Sequence, residues 1–63
     1  MKPRRLFTLL LVASAPPHHV TERRVVATNP RRAVRTIVKQ LVGIEVIHVV
    51  LDGRRVRTMK VAA

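Results

Sequence analysis

Residues 28–43, with the sequence TNPRRAVRTIVKQLVG, carry the strongest local signal in the chain. Asn29 is a favoured N-cap residue. Pro30 follows it at the first helical position, where a missing backbone N–H costs nothing. Gly43 suits the left-handed position that closes a helix, so we predict a helix over residues 30–42. Its apolar side chains recur at helical spacing and form one stripe: Ala33, Val34, Ile37, Val38 and Leu41.

Strand patterns lie on both sides of this helix. Residues 15–19 include two adjacent prolines, which break regular structure and mark a loop between two strands. Asp52-Gly53 is a strong signal for a two-residue type I′ turn and predicts a hairpin after the helix. The element order is therefore β-β-α-β-β, with predicted strands at 5–13, 20–28, 44–51 and 54–61.

The two-residue loop also predicts which residues of the second hairpin face each other. In a regular antiparallel pair, directly opposed residues share a face of the sheet and their side chains interact. The last predicted pair joins opposite charges, which supports this register. The predicted pairs are Val49 with Val56, His48 with Arg57, Val46 with Met59, and Glu45 with Lys60.

These elements predict an α+β fold with one four-stranded antiparallel sheet. The first strand is almost continuously apolar, as suits a central strand, so we expect the sheet order 2-1-3-4. The single helix can cover only one face of this sheet. The opposite face has no covering element and mixes apolar residues with Arg, which favours a homodimer or a partner site there. A chain of 63 residues has room for a single small domain. The helix is expected to cover one sheet face with Val34, Ile37, Val38 and Leu41.

Residues 1–17, MKPRRLFTLLLVASAPP, also have the outline of a secretory signal. Basic residues precede an apolar run, and small residues follow it. The run is short, however, and Pro16 directly follows the point of cleavage, where it hinders processing. The apolar run is also far shorter than the ~20 residues that are needed to span a bilayer. We interpret it as a strand and expect a cytoplasmic protein without a membrane partner; an exported or membrane-surface peptide is the alternative.

The net charge is the second informative feature of the sequence. Thirteen Lys and Arg residues stand against three Asp and Glu, which gives a formal charge of +10 at pH 7. Ten of these thirteen bases are Arg, whose planar guanidinium binds phosphates and carboxylates through paired hydrogen bonds. A GC-rich genome explains Arg in place of Lys, but it does not explain the excess of bases over acids. The composition therefore indicates a polyanionic partner.

Two clusters of bases are candidates for contacting this partner. On the predicted helix, bases at i, i+4 and i+8 form a continuous ridge, and a further Arg lies beside it. Cations in the first turn oppose the helix dipole, and a local rule broken in this way is typical of functional positions. For the helix, the alternative is a polar face that contacts only solvent. For the hairpin, the alternative is an edge strand whose charges prevent aggregation. The candidate residues are Arg31, Arg32, Arg35 and Lys39 on the helix, and Arg54, Arg55 and Arg57 on the hairpin.

Catalysis and metal binding have little support in this sequence. Cysteine is absent, Ser14 is the sole serine, and the sequence has neither paired carboxylates nor a Gly-rich phosphate loop. The three histidines, His18, His19 and His48, are not joined by an acidic cluster. We therefore expect a protein that is not an enzyme and that uses neither a metal nor a cofactor. Because Phe7 is the only aromatic residue, nucleic acid would be contacted through phosphates and not through stacked bases.

Residues 20–50, VTERRVVATNPRRAVRTIVKQLVGIEVIHVV, combine a strand, an A-T-N-P helix entry, a helix and a return strand. This arrangement resembles the small phage-encoded β-β-α-β proteins that inhibit host machinery, such as bacterial RNA polymerase or CRISPR effectors. It is also similar to the plan of a small archaeal ribosomal protein. The resemblance covers about half of the chain and lies in architecture, so it implies no residue roles.

Two functions follow from the sequence. The first is a non-enzymatic module whose basic ridge and hairpin contact the backbone of nucleic acid. The alternative is a phage-type inhibitor or adaptor that binds a host enzyme by protein–protein contact.

Overall fold

The computed structural model describes residues 3–61, which form one four-stranded antiparallel sheet and one helix. The strand order is β2-β1-β3-β4, and the helix packs on one face of the sheet. The predicted α+β fold and its sheet order 2-1-3-4 are therefore confirmed. The elements are β1 (Arg5–Ala13), β2 (Val20–Ala27), α1 (Pro30–Val38), β3 (Ile44–Leu51) and β4 (Arg54–Lys60).

The central strand β1 supplies much of the core. Its odd-numbered residues turn toward the helix, because strand side chains alternate between faces. Leu9 lies opposite Val49 of β3, and Leu11 lies opposite Ile47. The buried core residues are all apolar: Phe7, Leu9, Leu11, Ala27, Ala33, Val34, Ile47 and Val49. Within residues 3–61 no charged or polar residue belongs to this buried set.

The helix is shorter than the sequence predicts, since it ends at Val38 and not at residue 42. The chain tightens after Val38: the backbone N–H of Gln40 donates to the Ile37 carbonyl at 2.9 Å, and that of Leu41 to the Val38 carbonyl at 3.2 Å. These bonds span three residues instead of four, which is common where a helix ends. Leu41 packs against the core beyond the last helical turn.

The residues that end the helix also differ from the prediction. Gly43 has a φ of 71° and lies five residues after the helix, so it turns the chain into β3 and does not cap α1. Ala33 and Val34 are the buried helical residues. The prediction that Val38 covers the sheet is wrong, because 36% of Val38 remains exposed.

The second hairpin contains the predicted turn but not the predicted register. Asp52 and Gly53 have φ values of 53° and 75°, which are the positive values that a type I′ turn requires. The register then shifts between Val49 and Val50, and Val56 is the extra residue of a β-bulge in β4. The observed pairs are Val49 with Arg57, His48 with Thr58, Ile47 with Met59, and Val46 with Lys60.

The bulge has a clear physical reason. In the predicted register, Thr58 and Lys60 would face the helix while Met59 and Val61 would face away from it. The one-residue shift reverses this, and both Met59 and Val61 pack against the core. A one-residue change in register exchanges the two faces of a strand, so the bulge hides the apolar residues and exposes the polar ones. The predicted pairs Glu45 with Lys60 and His48 with Arg57 are therefore wrong.

The sheet face opposite the helix carries no element of the described chain, and we call it the open face. Rows of side chains cross it from β2 to β4, such as Val20, Val12, Val46 and Lys60. Leu6, Val20 and Val26 are each more than half exposed. Arg23 and Arg24 of β2 point to opposite faces, as predicted, because they pair with Leu9 and Thr8, respectively.

Candidate nucleic-acid interface

The first turn of α1 fixes the direction in which the helical bases point. Asn29 is the N-cap, and its side-chain Oδ1 accepts a hydrogen bond from the backbone N–H of Arg32 at 2.9 Å. The backbone N–H of Ala33 donates to the Asn29 carbonyl at 3.1 Å. Because Ala33 is fully buried against the sheet, Arg31 and Arg32 are held on the exposed side of the helix.

A shallow groove runs between α1 and β4. We call it the helix–β4 groove, and three apolar and two basic residues line it. Val34 and Met59 are the parts of its floor that pack in or against the core. Arg31 and Arg35 form its helical wall, one turn apart. The residues that line it are Arg31, Val34, Arg35, Val38 and Met59.

The bulge in β4 brings a third arginine to this side of the sheet. Arg57 lies opposite Val49, a fully buried residue that faces the helix. Arg57 therefore shares a face with Met59, which is two residues further along β4 and lines the groove. Arg54 lies opposite Leu51 on the same face. In the regular register predicted from the sequence, Arg57 would have pointed to the open face.

The remaining helical bases lie around the start and the end of α1. Arg32 and Arg35 line a recess with Thr36, whose hydroxyl donates to the Arg32 carbonyl at 2.8 Å. Lys39 is the C-cap residue and keeps a right-handed helical conformation, with φ −68° and ψ −19°. The predicted basic ridge therefore continues through Lys39, although the helix itself ends at the residue before it.

Arg55 lies apart from the other predicted residues. It pairs with Val50 and so belongs to the open face, on the side of the sheet away from α1. The structure therefore brings Arg31, Arg35 and Arg57 to one side of the sheet and separates Arg55 from them. The adjacent arginines of the hairpin do not act as one patch.

No carboxylate neutralises these bases in the part of the chain that the structure describes. In that part, an ion pair joins Arg24 to Glu22 at 3.3 Å and the His18 imidazole lies 3.8 Å from the Glu45 carboxylate, and all four side chains are about half exposed or more. Both pairs lie outside the helix–β4 groove. Its positive charge is therefore available to an external anion. Added salt weakens this attraction and shortens its range.

The apolar floor of the groove is a feature that the sequence analysis missed. The sequence pattern predicts Val38 against the sheet and pairs Met59 with Val46, which the structure places on the open face. The parity of β4 contained the missing signal: a two-residue loop and a partly buried Met59 opposite Ile47 are compatible only if one extra residue lies between them. Reading that conflict from the sequence would have placed both Met59 and Arg57 on the helical side.

Two of the three histidines have side-chain partners within the fold. The Nδ1 atom of His18 lies 2.8 Å from the Ala13 carbonyl, and the Nδ1 atom of His48 lies 3.1 Å from the Thr58 hydroxyl. Among residues 3–61, no group of three His, Cys, Asp or Glu side chains is placed to hold a metal ion. In the same range, no helix is long and apolar enough to cross a membrane.

Comparison of the chain with protein-family models, with curated proteins and with solved structures gives no match. The case for a function therefore rests on the fold and on the arrangement of the basic residues.

Proposed function

We propose that this chain is a non-enzymatic cytoplasmic module that binds nucleic acid by its phosphate backbone. The helix–β4 groove and the basic residues around it form the contact surface. The observation that carries this proposal is the convergence of Arg31, Arg35 and Arg57 on one side of the sheet, with no carboxylate paired to them in the described chain. Arg32, Lys39 and Arg54 extend the same surface.

The spacing of the helical bases suits a repeating anion. Arg31, Arg35 and Lys39 follow one another at four-residue steps, which is about 6 Å along a helix. Phosphates recur about every 3.4 Å along the axis of one strand of duplex DNA, so successive bases reach successive or alternate phosphates. Guanidinium groups bind such oxygens through two hydrogen bonds each, which favours Arg at these positions.

Recognition of this kind reads the backbone and not the bases. Phe7, the only aromatic residue, is buried in the core and offers no surface on which a base can stack. Phosphate contacts position a protein without carrying sequence information. We therefore expect binding that tolerates many sequences and depends strongly on salt.

A salt titration tests this proposal. Fluorescence anisotropy with a labelled 30-base-pair duplex and with an RNA hairpin would give Kd from 50 to 500 mM salt. For the six bases of the proposed contact surface, the slope of log affinity against log salt is expected to approach about −5 on a duplex. Absence of binding at 50 mM salt would contradict the proposal, and binding without a salt slope would contradict its mechanism.

The apolar floor of the groove favours a second candidate. Val38 and the exposed part of Met59 can pack against apolar side chains while the arginines around them pair with carboxylates. The partner would then be an acidic protein surface, such as one on a host enzyme like RNA polymerase or a CRISPR effector. Pull-down from bacterial lysate separates the two candidates, because a stoichiometric complex that survives nuclease treatment favours the protein partner.

A further inference from the structure

The edge strand β2 has a pattern that the basic groove does not explain. β2 forms one edge of the sheet, and most of its residues are exposed. Its side chains on the open face read Val20, Glu22, Arg24 and Val26. This order is self-complementary: when a second copy of β2 runs antiparallel to the first, each Val faces a Val and each Glu faces an Arg.

We infer that two copies of this chain pair through β2 in this register and form a continuous eight-stranded sheet. In this register, each residue of one copy lies opposite the residue of the other copy for which the two residue numbers sum to 46. Val20 lies opposite Val26 of the second copy, and Glu22 lies opposite Arg24 of the second copy. Each pair occurs twice, because an interface between identical strands is symmetric.

Several contributions favour this dimer. The unpaired backbone N–H and C=O groups of an edge strand gain hydrogen-bond partners. Val20 and Val26, which are 60% and 59% exposed in the single chain, become cross-strand neighbours. The Arg24 Nε atom lies 3.3 Å from the Glu22 carboxylate within one chain, so an acid and a base are already adjacent on the open face of β2.

The other edge of the sheet does not offer the same pairing. β4 is interrupted by the bulge at Val56, and bulges disfavour edge-to-edge association. Its charged residues are all basic, namely Arg54, Arg55, Arg57 and Lys60. Two antiparallel copies of β4 would therefore oppose bases with bases, whereas β2 supplies an acid for each of the arginines on its open face.

One residue opposes the dimer. Arg23 pairs with Leu9 and so points to the helical face, and in the proposed register it lies on the two-fold axis opposite Arg23 of the second copy. Like charges directly opposite each other are destabilising. Removal of this charge, as in Arg23→Thr, is therefore expected to tighten the dimer, although it removes a residue from the interface itself.

The symmetry has a consequence for the proposed function, and this point rests on that proposal. The two-fold axis of an antiparallel strand pair is perpendicular to the sheet, so both helices lie on the same face of the dimer. The two basic grooves then point in one direction, together with the Arg23 pair. A polyanion on that face neutralises the repulsion between the two Arg23 side chains, so its binding tightens the dimer.

Charge-reversal variants test the pairing directly. In Glu22→Arg alone, Arg faces Arg twice, and in Arg24→Glu alone, Glu faces Glu twice, so each is expected to dimerise at least tenfold more weakly than the wild type. An equimolar mixture of the two restores both pairs and is expected to form a heterodimer. The double variant Glu22→Arg/Arg24→Glu is expected to restore the homodimer. Analytical ultracentrifugation at 10–500 μM protein and 50 mM salt gives the dissociation constants.

Two controls make the outcome decisive. Lys60→Glu changes the charge by the same amount as Arg24→Glu, but on the far edge strand, and is expected to leave the dimer unchanged. Val50→Lys places a charge in the middle of the open face, and loss of the dimer in this variant would indicate face-to-face packing and overturn the proposal. A monomeric wild type at 500 μM, or a mixture that fails to associate, would also overturn it. Circular dichroism confirms that each variant is folded.

Discussion

The neighbouring arginines 55 and 57 allow the proposed binding surface to be tested with matched variants. The bulge at Val56 places Arg57 on the helical side and Arg55 on the open face. Arg57→Gln and Arg55→Gln both reduce the formal charge from +10 by one unit, and both side chains are exposed. A response to net charge alone predicts equal effects, whereas binding at the helix–β4 groove predicts a loss for Arg57→Gln only.

The size of this loss follows from counterion release. Each phosphate contact on a duplex contributes about 0.9 to the slope of log affinity against log salt. Extrapolated from 1 M salt, one contact is then worth about eightfold in affinity at 0.1 M and about twofold at 0.5 M. Arg57→Gln is expected to weaken binding by these factors. Arg55→Gln acts only through the screened field across the sheet, and we expect less than about a twofold effect at 0.1 M.

The assay is anisotropy with the labelled duplex at 0.1, 0.2 and 0.5 M salt, with the wild type and both variants measured side by side. Neither substitution touches the buried core, so the free energy of unfolding should change by no more than about 0.5 kcal/mol. Equal losses for the two variants would refute the reasoning, since they would show that net charge and not the groove governs binding. So would an Arg57→Gln variant whose salt slope equals that of the wild type.

Three further predictions concern the fold that supports this surface. Ile47 is fully buried, so Ile47→Ala should cost about 2–5 kcal/mol; this rivals the ~3–5 kcal/mol that a core of this size supplies, and the thermal transition followed by circular dichroism should be lost. Asn29→Ala removes the hydrogen bond to the Arg32 backbone and should lower the free energy of unfolding in urea by about 1 kcal/mol, while Asn29→Asp should not. Deletion of Val56 removes only the bulge, so the fold and the affinity for the duplex should persist; unfolding of this variant would contradict the assigned register.

Local signals allowed much of the fold to be predicted. The Asp52-Gly53 turn, the proline loop and the apolar run of β1 each depend on a few adjacent residues. They led to the correct strand order, because a central position suits the strand with the longest apolar run. The start of the helix was equally accessible, since an N-cap followed by proline is a local feature.

The errors arose where competing interactions are not local. Gly43 was assigned to the helix end on the basis of its type alone, but the chain leaves the helix earlier so that Leu41 can reach the core. The register of β4 depends on a choice between burying Met59 and burying Thr58, which are adjacent in the chain. A regular two-residue turn would place Thr58 opposite Ile47, whereas core packing favours Met59 at that position. The bulge satisfies both, and only a reading that combined the two would have predicted it.

The candidate site depends on how the helix and β4 pack against the rest of the fold. Every buried residue in the described chain is apolar, so the bases lie at positions that the core leaves free. The burial of Ala33 and Val34 sets the rotation of the helix and hence the direction of Arg31 and Arg35. The bulge, which lets Met59 pack against the core, sets the face of Arg57. The packing of apolar residues thus brings these three bases to one side of the sheet.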